Sequence, residues 1–122
     1  MDLDAYNAFC GSLTATSHVV QWGDAHVWKV GGKVFALGRW SDDDGLAVSF
    51  KTSRLDFTVL TAMPGLRPAP YLASRGLSWV QHYGEPGLED EDLCEQITES
   101  YLLVAEGLSQ KRRRELGIDI TR

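Results

Sequence analysis

An α+β fold is predicted for this chain by three observations. Two strand-like runs meet at a glycine pair in HVWKVGGKVFALGRW, residues 26–40. A long segment near the end, 88–108, carries an apolar stripe at helical spacing. No repeat and no long linker divides the 122 residues, so a single domain over 1–122 with one ordinary core is expected.

Residues 2–14 read as the first helix. Leu3, Tyr6, Cys10 and Leu13 recur at helical spacing, with Phe9 beside them. Asp2 can cap its start, Asp4 suits the positive end of the dipole, and Gly11 weakens the last turn. His18 to Trp22 reads as a short extended lead-in.

In the hairpin, a two-residue loop at Gly31-Gly32 sets Val30 opposite Lys33, Trp28 opposite Phe35 and His26 opposite Leu37. Glycine suits this loop because primed turns need positive φ. Trp28, Phe35 and Leu37 are then expected on the core face. Val27, Lys29, Val34 and Ala36 make the opposite, mixed face. SDDDG, residues 41–45, is a turn whose three aspartates repel one another into water. It lacks the spaced ligands and closing glutamate of an EF-hand, so a Ca²⁺ loop is rejected. Leu46, Val48 and Phe50 alternate with Ala47, Ser49 and Lys51 as a third strand.

Ser53 opens a second helix through Leu55, Phe57, Val59 and Leu60, with Asp56 completing a variant capping box. Pro64-Gly65 stops it. Pro68 and Pro70 hold GLRPAPYLASRG, residues 65–76, extended, so a strand there belongs at an edge. Leu77 to Tyr83 reads as a further strand with Trp79 and Val80 on opposite faces, and Gly84, Pro86 and Gly87 form the next turn. The helix of 88–108 buries Leu93, Ile97, Tyr101, Val104 and Leu108. Ser109 caps a last short helix that carries Lys111 to Arg114.

Composition narrows the function classes. With 43% hydrophobic and 24% charged residues the chain is globular, and a formal net charge of -5 argues against a protein that coats itself in nucleic acid. No basic leader precedes an apolar run, and no stretch approaches the roughly 18 apolar residues of a membrane span, so a cytoplasmic location is expected. Cys10 and Cys94 are far apart without metal-like spacing, and free thiols on packed helix faces are expected. No phosphate loop, nucleophile elbow or His-Glu-x-x-His occurs. His18, His26 and His82 have no ligand spacing. The reading is therefore of a protein that is no enzyme and holds neither cofactor nor metal.

Charge placement says more than the total. Between His26 and Leu88 the cations are Lys29, Lys33, Arg39, Lys51, Arg54, Arg67 and Arg75, and three of the five acids there sit in the Asp42–Asp44 turn. The segment from Glu89 to Glu106 has acids and no bases. Carboxylates at a helix start are stabilised by the dipole at about 0.3–1 kcal/mol each, so neither that run nor the basic run at the other end requires a ligand. A sheet with helices on one side would show a mildly basic face backed by acidic helices. That suits phosphate contacts and equally suits none.

Four segments carry a resemblance: HVWKVGGKVFAL, LAVSFKTS, MPGLRPAPYLASRGLSWVQ and LCEQITESYLLVAEGLSQKRRREL. In this order, with a lysine after Gly-Gly, a lysine closing the next strand, Pro-Ala-Pro-Tyr-Leu, the Trp after it and Ser-Tyr in the late helix, they resemble the YjbR/MmcQ family. The resemblance implies a two-layer sandwich. An antiparallel sheet of about five strands has helices on one side in the order α-β-β-β-α-β-β-α, a double-wing arrangement similar to frataxin-like and secretion-chaperone-like folds. It also implies a DNA-binding protein. By position Lys33, Lys51 and Trp79 match the family pattern, Arg75 stands near where other members often have a lysine, and the Asp42–Asp44 turn departs from the pattern.

Lys29, Lys33, Lys51, Arg54, Arg67 and Arg75 are then the expected phosphate contacts, joined by Arg112 and Arg113. No recognition helix with base-reading side chains is evident, so contact would be sequence-neutral. The alternative is a protein-interaction module that holds a peptide or a second copy, with Trp22, Trp40 and Tyr71 as anchors.

Overall fold

The computed structural model describes residues 1–70, 72 and 76–120. Its helices are α1 (Leu3–Ser12), α2 (Arg54–Thr61), α3 (Asp90–Glu106) and α4 (Gln110–Leu116). Its strands are β1 (Thr16–Gln21), β2 (Ala25–Val30), β3 (Lys33–Ser41), β4 (Gly45–Lys51), β5 (Leu66–Pro68) and β6 (Trp79–His82). They form one antiparallel sheet in the order β1-β2-β3-β4-β6-β5. The expected α+β architecture is present with one strand more than expected. The lead-in before the hairpin is a full strand at one edge. The Pro-rich segment yields three strand residues at the other edge, where a missing N–H breaks no ladder.

The helix starts follow the sequence signals. The Asp2 carboxylate accepts from the Ala5 N–H at 2.8 Å, and the Ser53 and Ser109 hydroxyls accept from Asp56 and Arg112 N–H at 3.1 Å each. α3 has no side-chain cap, and Asp90, Glu91 and Asp92 in its first turn complement the dipole instead.

One core lies between the helices and one face of the sheet. Tyr6 and Cys10 of α1, Leu60 of α2, Leu93, Ile97 and Tyr101 of α3, and Leu108 and Ile118 flanking α4 meet Trp28, Val30, Phe35, Val48, Phe50 and Val80. Each large side chain buried there contributes about 1.5–3 kcal/mol. The Tyr6 ring occupies the space that a side chain at Gly38 would need, and its hydroxyl donates to the His26 carbonyl at 2.9 Å.

The hairpin departs from the expected register. Val30 pairs with Lys33, as the Gly-Gly turn dictates, but Trp28 pairs with Ala36 and His26 with Gly38. The ladder shifts between Trp28 and Lys29 because β3 carries an extra residue, a β-bulge. Ala36, expected on the mixed face, joins the core beside Phe35. Leu37, expected in the core, pairs with Val27 and Ser49 on the reverse face.

α3 closes the gap that the bulge opens. One step beyond the Ala36–Phe50 pair, the fully buried Ser100 hydroxyl accepts the Lys51 N–H at 2.8 Å and donates to the Phe35 carbonyl at 2.6 Å. Its neighbour Tyr101 donates to the Thr14 carbonyl at 2.7 Å and meets the Phe35 ring edge-on.

Candidate functional site

The sheet face without helices holds the candidate site. Along each strand it takes the residues that alternate with the core set. They are Ala25, Val27 and Lys29 on β2, Leu37 and Arg39 on β3, Ala47, Ser49 and Lys51 on β4, Trp79 and Gln81 on β6, and Arg67 on β5. The register sets Val27, Leu37, Ser49, Gln81 and Arg67 in one row across five strands. Ala25, Val27, Ser49 and Trp79 are buried here, although they lie outside the helix-side core.

This face is concave. Small side chains at Ala25, Ala47 and Ser49, with Leu37 and Gln81, floor a groove of about 520 Å³. Trp22 and Arg39 form part of its wall, and Pro70 and Leu72, which lie between β5 and β6 in the chain, form another part. The volume falls in the ordinary range for ligand pockets. Trp22 is 59% exposed and sits at φ +53, followed by Gly23 at +70 and Asp24 at +66. The Arg39 guanidinium donates to the Trp22 carbonyl and ties this turn to β3. Arg67 donates from Nε to Gln81 Oε1 at 2.8 Å and lies over the Tyr83 ring at 4.2 Å, a cation–π contact that orders it.

The charge asymmetry has a sharp structural form. All 17 carboxylate side chains lie on helices, turns or loops, and none lies in a strand. The strands carry Lys29, Lys33, Arg39, Lys51 and Arg67. Among the described residues, none of Lys29, Lys51 and Arg67 has a carboxylate within 4.0 Å.

The structure separates the cations expected as contacts into groups. Lys29, Lys51 and Arg67 share the helix-free face. Lys33 sits at the hairpin turn with its ammonium near Gly107, at the negative end of α3. Arg54 opens α2, and Arg112 and Arg113 lie on α4, both in the helix layer. Arg112 pairs with Glu115 at 3.5 Å. Arg75, and the Tyr71 anchor, lie outside the described residues. Arg39 and the groove floor were not singled out from sequence. The available signal was the small, polar half of the alternation in β4, Ala47 and Ser49, set against Leu46, Val48 and Phe50.

Among the described residues no group of three or more His, Cys, Asp or Glu side chains is arranged to hold an ion. His18 Nε2 lies 3.0 Å from His26 Nδ1, which also lies 3.3 Å from the Asn7 amide nitrogen, and Asn7 Oδ1 accepts from the Trp28 indole at 2.9 Å. His82 Nε2 accepts the Leu88 N–H at 2.9 Å. Burial holds the pKa of His18 and of His82 below the ordinary 6.5, and the nearby His26 adds to the effect at His18. The unfolded chain therefore binds more protons than the folded one below that value. Stability is expected to be full above pH 6.5, to fall as pH drops through it, and to level off once the folded histidines are protonated. Urea midpoints measured between about pH 7.5 and 5.5 test this, and a flat profile would contradict it. Both cysteines are free. Burial pushes the Cys10 thiol up to about 12, so it is no thiolate nucleophile at neutral pH.

Comparison with known proteins fits this architecture. The chain is similar to the crystal structure of a Deinococcus radiodurans protein, DR2400, with the domain DUF419. The identity is 26%, the TM-score is 0.83, and the match covers 97% of this chain and 89% of that one. A protein from Pseudomonas syringae shares the fold at 18% identity and TM-score 0.68, over 85% of this chain and 99% of that one. No curated protein matches the chain significantly. The family model YjbR matches residues 11–103, and the chain belongs to the YjbR family.

Proposed function

We propose that this protein is a non-catalytic DNA-binding protein that holds phosphates against the helix-free face of its sheet. The observation that carries the reading is the division of charge: the strands hold five cations and no carboxylate side chain. Lys29, Lys51 and Arg67 supply the contacts, with Arg39 at the groove. The groove wall offers one charged group, Arg39, and no His, Cys or carboxylate among the described residues that line it. That lining lacks the acid–base pair a catalytic pocket uses.

The affinity is expected to be weak and salt-sensitive, because the contacts are to phosphates and the net charge is -5. Fluorescence anisotropy with labelled DNA, starting near 50 mM salt, measures it. The double variant Lys29→Gln/Lys51→Gln should reduce the log–log salt slope by about 2, one for each lost phosphate contact. Replacing Arg112 and Arg113 should leave the slope unchanged, and the reverse outcome would move the contact surface to α4. Absence of binding near 50 mM salt, or a slope of zero, would sink the proposal. The exposed Trp22 and Trp40 favour a second reading, a protein-interaction module. A stable protein complex that ignores DNA supports that one.

A further inference from the structure

We infer that the groove on the helix-free face receives one unstacked base of a single-stranded nucleic acid, with Trp22 as its stacking partner. The inference rests on the phosphate-binding reading above and adds which form of nucleic acid is preferred. Three observations carry it.

The first is shape. Arg39 lines a concavity of about 520 Å³ on this face, and Arg67 is bonded to Gln81 of its floor. A duplex offers a convex surface of phosphates with its bases stacked inside, so it leaves such a groove empty unless a base is flipped out. A single strand can lay its backbone along Lys51, Arg67 and Lys29 and turn a base inward. Aromatic platforms beside a cationic track are how sheet surfaces hold single strands.

The second is the chemistry of the lining. Trp22 offers an aromatic face, and Ser49 and Gln81 set a hydroxyl and an amide in the floor. Arg67 Nε donates to Gln81 Oε1, which fixes the amide and leaves its NH₂ group as a donor for a base edge. No carboxylate is among the described lining residues to repel the flanking phosphates.

The third is strain. Trp22 stands at φ +53, a conformation that bulky L-residues rarely adopt, and its side chain is 59% exposed. Folding gains little from an indole in that place, where glycine would fit without strain. The Arg39 guanidinium nevertheless ties its carbonyl to β3. A strained residue held in place at the mouth of a groove points to a ligand outside the chain.

Anisotropy titration of the whole chain with a labelled oligothymidylate and with a duplex of equal length tests the inference at one salt concentration. The strand is expected to bind about tenfold more tightly than the duplex. Trp22→Ala should weaken strand binding by roughly tenfold or more, as for loss of one base–aromatic stack. Trp22→Phe should keep most of the affinity, and Trp40→Ala, on the helix side of the sheet, should leave it unchanged. Trp22→Gly separates ligand contact from structure: it should weaken strand binding while leaving the melting temperature equal or higher. A lower melting temperature would mark Trp22 as a structural residue and overturn the strain argument. Duplex binding as tight as strand binding, or an unchanged Trp22→Ala, overturns the inference and leaves the phosphate reading standing. If neither form binds near 50 mM salt, both are lost.

Discussion

Ser100→Ala is expected to lower the unfolding free energy by about 2–4 kcal/mol, although alanine is the better helix former. The hydroxyl is fully buried and serves two main-chain groups of different strands, the Lys51 N–H and the Phe35 carbonyl. Its removal orphans both in a site closed to water, and each orphan costs about 1–3 kcal/mol. The melting temperature should fall by roughly 10 °C for a chain of this size. Urea unfolding followed by circular dichroism checks this. An unchanged slope with a lower midpoint identifies lost stability rather than a changed denatured state. A loss below about 0.5 kcal/mol would mean that β3 and β4 re-pair without the serine, contrary to the account of the bulge.

Gly65→Ala should be at least as damaging, at about 3 kcal/mol or more. Gly65 has φ +90, and a methyl group there would lie 2.3 Å from the Gly84 carbonyl oxygen and 2.6 Å from the Gly87 nitrogen. Those are backbone atoms of a loop anchored by its own bonds. Tyr83 N–H donates to the Gly65 carbonyl at 2.9 Å, and Gly87 N–H donates to the Pro64 carbonyl at 3.0 Å. The close approach locks the end of α2 to the entry of α3. Gly45→Ala is the control: it has φ +76 but open space around it, so it should lose only the conformational part, about 1 kcal/mol. Equal losses at the two positions would refute the steric explanation.

Most of the helices were legible in the sequence, because their signals are local. Asp2, Ser53 and Ser109 cap the helices they were expected to cap, and the stripe from Leu93 to Val104 is buried as its spacing implies. The edge position of the Pro-rich strand followed from proline chemistry alone. The bulge in β3 was not legible. Nothing near Phe35 announces an extra residue, and the group that stabilises it is Ser100, 65 positions away. The error in register then placed Ala36 and Leu37 on the wrong faces. The groove was hidden for a related reason. Its floor is ordinary strand alternation, and it becomes a groove only when Pro70, Leu72 and Trp22 stand beside it. The pairing of His18 with His26 was hidden too, since Trp22-Gly23-Asp24 is not a common hairpin signature.

The extra residue in β3 acts as a parity bit for the molecule. Side chains beyond it read out to one layer or the other according to whether the count is odd or even. Loss of one codon there would turn Arg39 inward and send Trp40 to the opposite surface, without altering a single charge in the composition. In this lineage, the electrostatic character of the open surface is therefore written in strand length as much as in the choice of lysine or arginine.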